Sequence, residues 1–81
     1  MKLNDDDIFN FIKCTEELNE LGALLIHQVT NPNKRLMKRI EAEVGDVLYW
    51  VWKISDGRLD EKEIKQQINK RGEQYGKEEV F

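Results

Sequence analysis

The apolar positions of the chain recur with helical spacing. Between residues 36 and 54, Leu36, Met37, Ile40, Val44, Val47, Leu48, Val51 and Ile54 follow one another at three- and four-residue steps. That period puts them on one face of an α-helix. Tyr49, Trp50 and Trp52 lie outside the stripe and widen the apolar surface, so this helix should be covered on more than one side. Upstream, Phe11, Cys14, Leu18, Leu21 and Leu25 form a second stripe, with Ile8, Phe9, Ile12, Leu24 and Ile26 spread around it. A third segment carries only Ile64, Ile68 and Tyr75. No alternation of period two survives anywhere, so the fold class is all-α.

Start and stop signals divide these stripes into three helices. Asn4, followed by three aspartates, offers an N-cap and first-turn acids that complement the helix dipole. Asn31-Pro32 places a capping side chain before a proline, and Asp60-Glu61-Lys62-Glu63 has capping-box spacing. Thr30-Asn31-Pro32-Asn33 and Ser55-Asp56-Gly57 read as stops. The expected helices span 5–28, 32–56 and 60–75, the first two long and antiparallel, the third a thin and mostly solvated cover. Residues 76–81 are expected to form a flexible tail. With one proline and no low-complexity linker, residues 1–81 form a single domain.

Size changes this picture. A chain of 81 residues rarely draws more than about 3–5 kcal/mol from one core, and Cys14, its lone cysteine, cannot form an internal disulfide. A homodimer or homotetramer is therefore expected to complete the bundle. The net charge of −3 argues against a nucleic-acid polymer as partner. The N-terminal segment has no apolar signal region, and the longest apolar runs, 21–26 and 47–52, are too short to span a bilayer. A cytoplasmic protein with no membrane partner is the expectation.

The chemistry lies in two acidic groups. Glu16, Glu17 and Glu20 sit in the middle of the first helix, Glu43 and Asp46 in the middle of the second. Like charges three or four residues apart destabilise a helix by about 0.2–0.5 kcal/mol per pair. Either group alone is a common surface pattern. Both, however, border a core stripe on consecutive helices, an arrangement that suits a carboxylate cage for a hard divalent cation such as Mg²⁺, with Mn²⁺ as a substitute. Gly45, between the second pair, would let a ligand or backbone approach. Arg35 and Arg39 precede Glu43 on the same predicted helix face. They serve either as ion-pair partners of Glu43 or as holders of phosphate oxygens. His27 reads as a dipole partner at a helix end, and Cys14 as a small core residue.

Residues 13–21, Lys-Cys-Thr-Glu-Glu-Leu-Asn-Glu-Leu, followed by residues 40–48, Ile-Glu-Ala-Glu-Val-Gly-Asp-Val-Leu, resemble the MazG-like group of all-α nucleoside triphosphate pyrophosphohydrolases. The shared signature is EExxE, a spacer of 22 residues here, then ExxD. It spans roughly residues 10–75, and Ile68-Asn69-Lys70-Arg71 resembles a basic segment that follows in small members. The resemblance implies Mg²⁺-dependent hydrolysis of a (d)NTP to (d)NMP and pyrophosphate. It implies Glu17, Glu20, Glu43 and Asp46 as metal ligands, with Glu16 orienting a ligand or the attacking water. Arg35 and Arg39, and more loosely Lys65, Lys70 and Arg71, would hold phosphate. The family assembles as dimers or tetramers with a base pocket partly supplied by a neighbouring subunit. This chain is shorter than many members and lacks their extra C-terminal elements. Trp50 and Trp52 are open to two roles, stacking on a base or packing in a core or interface. Two other readings compete: phosphoribosyl-ATP pyrophosphohydrolase, which Asp46-Val47-Leu48-Tyr49 resembles, and a non-enzymatic helical interaction module on the same scaffold.

Overall fold

The computed structural model describes residues 2–76. The first helix, α1, spans Asp5–Thr30; α2 spans Met37–Ser55; α3 spans Glu61–Arg71 and runs into a π-helical segment, Gly72–Gly76. The expected tail lies outside the described residues from 77 onward. Among the described residues there is no strand, and no helix is long and apolar enough to cross a membrane.

The end of α1 and the start of α2 differ from the sequence expectation. Asn31 does not cap a helix beginning at Pro32. It closes α1, its backbone N–H and its side-chain amide both donating to the His27 carbonyl (3.0 and 3.2 Å). Residues 32–36 then form an irregular connection held by Gln28. Its Nε2 donates to the Lys34 carbonyl (2.7 Å), and its Oε1 accepts from the Leu36 N–H (3.0 Å). A side chain of α1 thus supplies the cap that Leu36, the residue before α2, cannot supply itself. One consequence is that Arg35 lies in the connection, not on the α2 face it was expected to share with Arg39 and Glu43.

The short connection folds α1 and α2 into an antiparallel hairpin. Leu24, Leu36 and Ile40 are buried at its closed end with Leu21 packed against them, and Cys14 and Val47 are buried further along. No described side chain is less than 2% exposed, so this core is thin. The predicted stripes accordingly split. Leu18, Leu25 and Val29 on α1, and Met37, Val44 and Leu48 on α2, share helical spacing and stay exposed along one broad face. Asn10, Lys13, Glu17, Glu20 and His27 on α1 follow their own three-, four- and seven-residue steps on the other flank. Across the seam Glu17 meets Glu43 and Asp46, Glu20 and His27 share a cleft with Arg39 and Glu43, and Asn10 shares one with Lys53. The hairpin therefore has one apolar and one polar face.

The open end is tied by a charge. Asp7 is the one buried charged residue among those described. Asn4 and Asp7 form a reciprocal capping box, the Asn4 N–H donating to Asp7 Oδ2 (3.0 Å) and the Asp7 N–H to Asn4 Oδ1 (2.8 Å). Arg58, from the α2–α3 connection, reaches back to Asp7 Oδ1 at 2.6 Å. The Asn4 N–H, and then the Arg58 guanidinium, hold the Asp7 carboxyl below its usual range against the opposing effect of burial.

The third helix is not the cover it was expected to be. None of its residues is buried, and no Cα of α3 comes within 8 Å of α1 or α2. Asp56 and Gly57 turn the chain with left-handed φ values of 22° and 76°, and Arg58 is pinned at Asp7. The chain then leaves the hairpin with too few apolar side chains on α3 to draw it back. Asp60 caps α3 by accepting from the Lys62 and Glu63 N–H groups (3.0 and 3.4 Å).

Two measurements check the capped end. Replacing Asn4 by Ala removes the N-cap and is expected to cost about 0.5–2 kcal/mol, read as a lower urea midpoint, whereas Asn4→Asp retains stability. Because the folded Asp7 carboxyl titrates below its unfolded value, it contributes stability above the ordinary carboxylate range. That stability is lost as pH falls through the lowered value. Asp7→Asn should therefore flatten the acid limb of the stability curve.

Candidate metal centre

The polar face concentrates charge at the middle of the hairpin. Glu17 and Glu20 are one turn apart on α1, and Glu43 and Asp46 one turn apart on α2, so antiparallel packing sets the two pairs against each other. One carboxylate oxygen from each of Glu17, Glu43 and Asp46 lies within 4.8 Å of the other two. Glu17 and Glu43 are half-buried, and Oε2 of each is shut off from solvent with no hydrogen-bond donor beside it. Buried, charged and undonated oxygens are among the costliest groups a fold can hold.

Two things relieve such an arrangement, a proton or a cation. Burial pushes the Glu17 carboxyl above its usual range, and Glu20, Asp46 and Glu43 push it further. A proton on Glu17 can be shared with the Glu43 carboxylate. A divalent cation satisfies more of the site at once, since Mg²⁺ takes carboxylate oxygens and keeps open positions for water and phosphate. The orphaned oxygens and the all-carboxylate donor set fit that ion.

The remaining predicted residues fall into three groups. Glu20 is exposed and stands outside the three-carboxylate cluster, but it lines a cleft of about 300 Å³ with His27, Arg39 and Glu43. Arg39 is thus brought to the site, and His27, in the last turn of α1 as expected of a dipole partner, also lines the cleft. Its seven-residue step from Glu20 was the available signal. Glu16 points outward and pairs with Lys13, Nζ to Oε2 at 3.0 Å. Lys65, Lys70 and Arg71 lie on α3, away from the carboxylates of the same chain; Lys65 pairs with Glu61 (3.2 Å), and Arg71 donates to Gln74 (2.7 Å). Gly45 faces open space, with no other part of this chain within 4 Å of where a Cβ would stand.

The aromatic residues separate as well. Trp50 is half-buried and packs edge-on against Phe9 and Tyr49, with centroids at 6.1 and 5.1 Å, which fixes it across the two helices. Trp52 is 68% exposed and lines a second cleft with Asn10 and Lys53 at the open end of the hairpin.

Lys13 was missed by the sequence reading. It is half-buried, one turn before Glu17 on the polar face, and Glu16, Glu17 and Glu20 together raise its pKa, Glu16 most. Its four-residue spacing from Glu17 was visible in the sequence. Comparison with family profiles, with curated proteins and with solved structures finds no match to this chain.

The Glu17 carboxyl yields a prediction with a definite sign. Its folded value lies above the unfolded one, so its contribution to stability is present below the ordinary carboxylate range and lost as pH rises through the raised value. In chelator-treated protein the melting temperature should fall as pH rises across the weakly acidic range. Glu17→Gln should remove that fall and raise the melting temperature at neutral pH. Added Mg²⁺ should stabilise the wild type and leave Glu17→Gln unmoved. Equal stabilisation of both by Mg²⁺ would count against the site.

Proposed function

We propose that the chain is a Mg²⁺-dependent nucleotide pyrophosphohydrolase of the MazG-like kind, converting a (d)NTP to (d)NMP and pyrophosphate. The observation that carries this reading is the convergence of Glu17, Glu43 and Asp46, with two solvent-excluded oxygens that no protein group satisfies. These are three of the four ligands that the EExxE and ExxD resemblance implies.

In this reading Glu17, Glu43 and Asp46 would hold the cation. Bound Mg²⁺ supplies charge neutralisation on the phosphates and lowers the pKa of water. Glu20, on the cleft wall beside Glu43, is the carboxylate left to accept the proton of the attacking water. Arg39 reaches the same cleft and neutralises charge on the departing pyrophosphate, a task its planar guanidinium suits. Water adds at the α-phosphorus, the bond to the bridging oxygen breaks, and both electrons leave with pyrophosphate. No covalent nucleophile takes part.

The apolar face belongs to the same proposal. Leu18, Leu25, Met37, Val44 and Leu48 form a surface that a second copy can cover with its own equivalent surface, giving a four-helix core on the side away from the carboxylates. The assembly proposed is a homodimer or homotetramer. Lys65, Lys70 and Arg71, which do not reach the site of their own chain, would be available to a neighbouring one.

Purified protein with Mg²⁺ should release pyrophosphate from at least one member of a panel of canonical and modified (d)NTPs. Asp46→Asn should cut that rate by more than about 100-fold, the upper end of what losing a mere outer-shell partner costs. A full panel without pyrophosphate at high protein concentration contradicts the reading. Sedimentation should give a multiple of the 9.6 kDa chain mass, and Leu48→Glu should shift it toward the monomer.

A further inference from the structure

We propose that Lys13 is a substrate-holding cation of this site, parked on Glu16 in the free protein and handed to the triphosphate when substrate binds. The inference rests on the pyrophosphohydrolase reading and adds a residue to it. Three observations carry it. Lys13 Nζ lies 3.0 Å from Glu16 Oε2, a surface pair between neighbours on one helix, whose net worth is small enough for phosphate to displace it. Lys13 stands one turn from Glu17 and two turns from Glu20, on the face that carries the carboxylate cluster. Its side chain is 36% exposed, and its ammonium is carried on a flexible four-carbon stem.

The placement also completes a charge pattern. The cluster of Glu17, Glu43 and Asp46 has Arg39 on its closed-end side and Lys13 on its open-end side. A triphosphate is longer than one cation site and carries anionic oxygens along its whole length. A cation on each flank matches that shape, with Arg39 at the leaving pyrophosphate and Lys13 at the opposite end of the phosphate chain. Lysine suits a hand-over because its ammonium donates in three directions from a flexible stem. In the absence of substrate the same positive charge opposes the binding of Mg²⁺ close by.

That conflict gives a signature which a merely structural lysine would not produce. In Lys13→Met, Mg²⁺ measured by calorimetry on nucleotide-free protein should bind several-fold tighter. The KM for the best-hydrolysed nucleoside triphosphate should rise by about ten- to a hundredfold, the loss expected for one charge-assisted hydrogen bond, with kcat changed far less. Lys13→Arg should restore both values toward wild type. If Lys13→Met leaves KM unchanged, or weakens Mg²⁺ and substrate together, the assignment of Lys13 is overturned while the hydrolase reading stands. If the wild-type protein hydrolyses no nucleotide, the hydrolase reading and this assignment fall together.

Discussion

The repulsion between carboxylates at the middle of the α1–α2 seam is the constraint on which the rest of the structure turns. Glu17, Glu43 and Asp46 approach to within 4.8 Å while Glu20 stands beside them, and burial denies two of their oxygens the water that would screen them. A hairpin with so thin a core has little stability to set against that cost. A cation bound as proposed would turn the same arrangement from a liability into a cross-link between the helices, because Glu17 comes from α1 and Glu43 and Asp46 from α2. Metal binding and hairpin stability would then be one equilibrium, in the sense that binding free energy becomes folding free energy.

The two unlike faces follow from the same economy. Helices that spend one flank on carboxylates have only a narrow strip left for packing against each other, namely Cys14, Leu24, Ile40 and Val47. The other apolar residues are displaced to the far face, where Val44 and Leu48 remain open. A chain of this size can keep a charged site or a self-sufficient core; the proposed covering of the apolar face by a second copy would let it have both. The ends of the hairpin are secured by polar devices instead of apolar mass, Gln28 at the closed end and the Asn4–Asp7–Arg58 set at the open end.

Much of this was legible in the sequence. Helical spacing located α1 and α2, and the two acidic groups, three residues apart within each helix, had to meet once the helices were antiparallel. What could not be read was decided by side chains acting across the fold. Asn31-Pro32 has the form of a helix start, but the Gln28 amide offers Leu36 a better cap, so α2 begins at Met37 and Arg35 loses its helical face. Lys65, Lys70 and Arg71 share a helix with Ile64 and Ile68, yet two left-handed residues and an ion pair steer that helix away from the hairpin. Glu16 and Glu17 are adjacent in sequence, and the 100° turn between them sends one out to Lys13 and the other into the seam. Trp50 and Trp52 part company for the same reason.

The most direct measurement of the cation site is residue-resolved broadening of backbone amide resonances by trace Mn²⁺, competed with Mg²⁺. The chain holds a second dense acidic group, Asp5–Asp7, but Asp7 is already engaged by the Asn4 N–H and Arg58. Broadening should therefore centre on residues 17–20 and 43–46, spare the Asp5–Asp7 turn and α3, and reverse when Mg²⁺ is added. Broadening that is spread evenly over the acidic surface, or that centres on Asp5–Asp7, would contradict a cation held between the two helices.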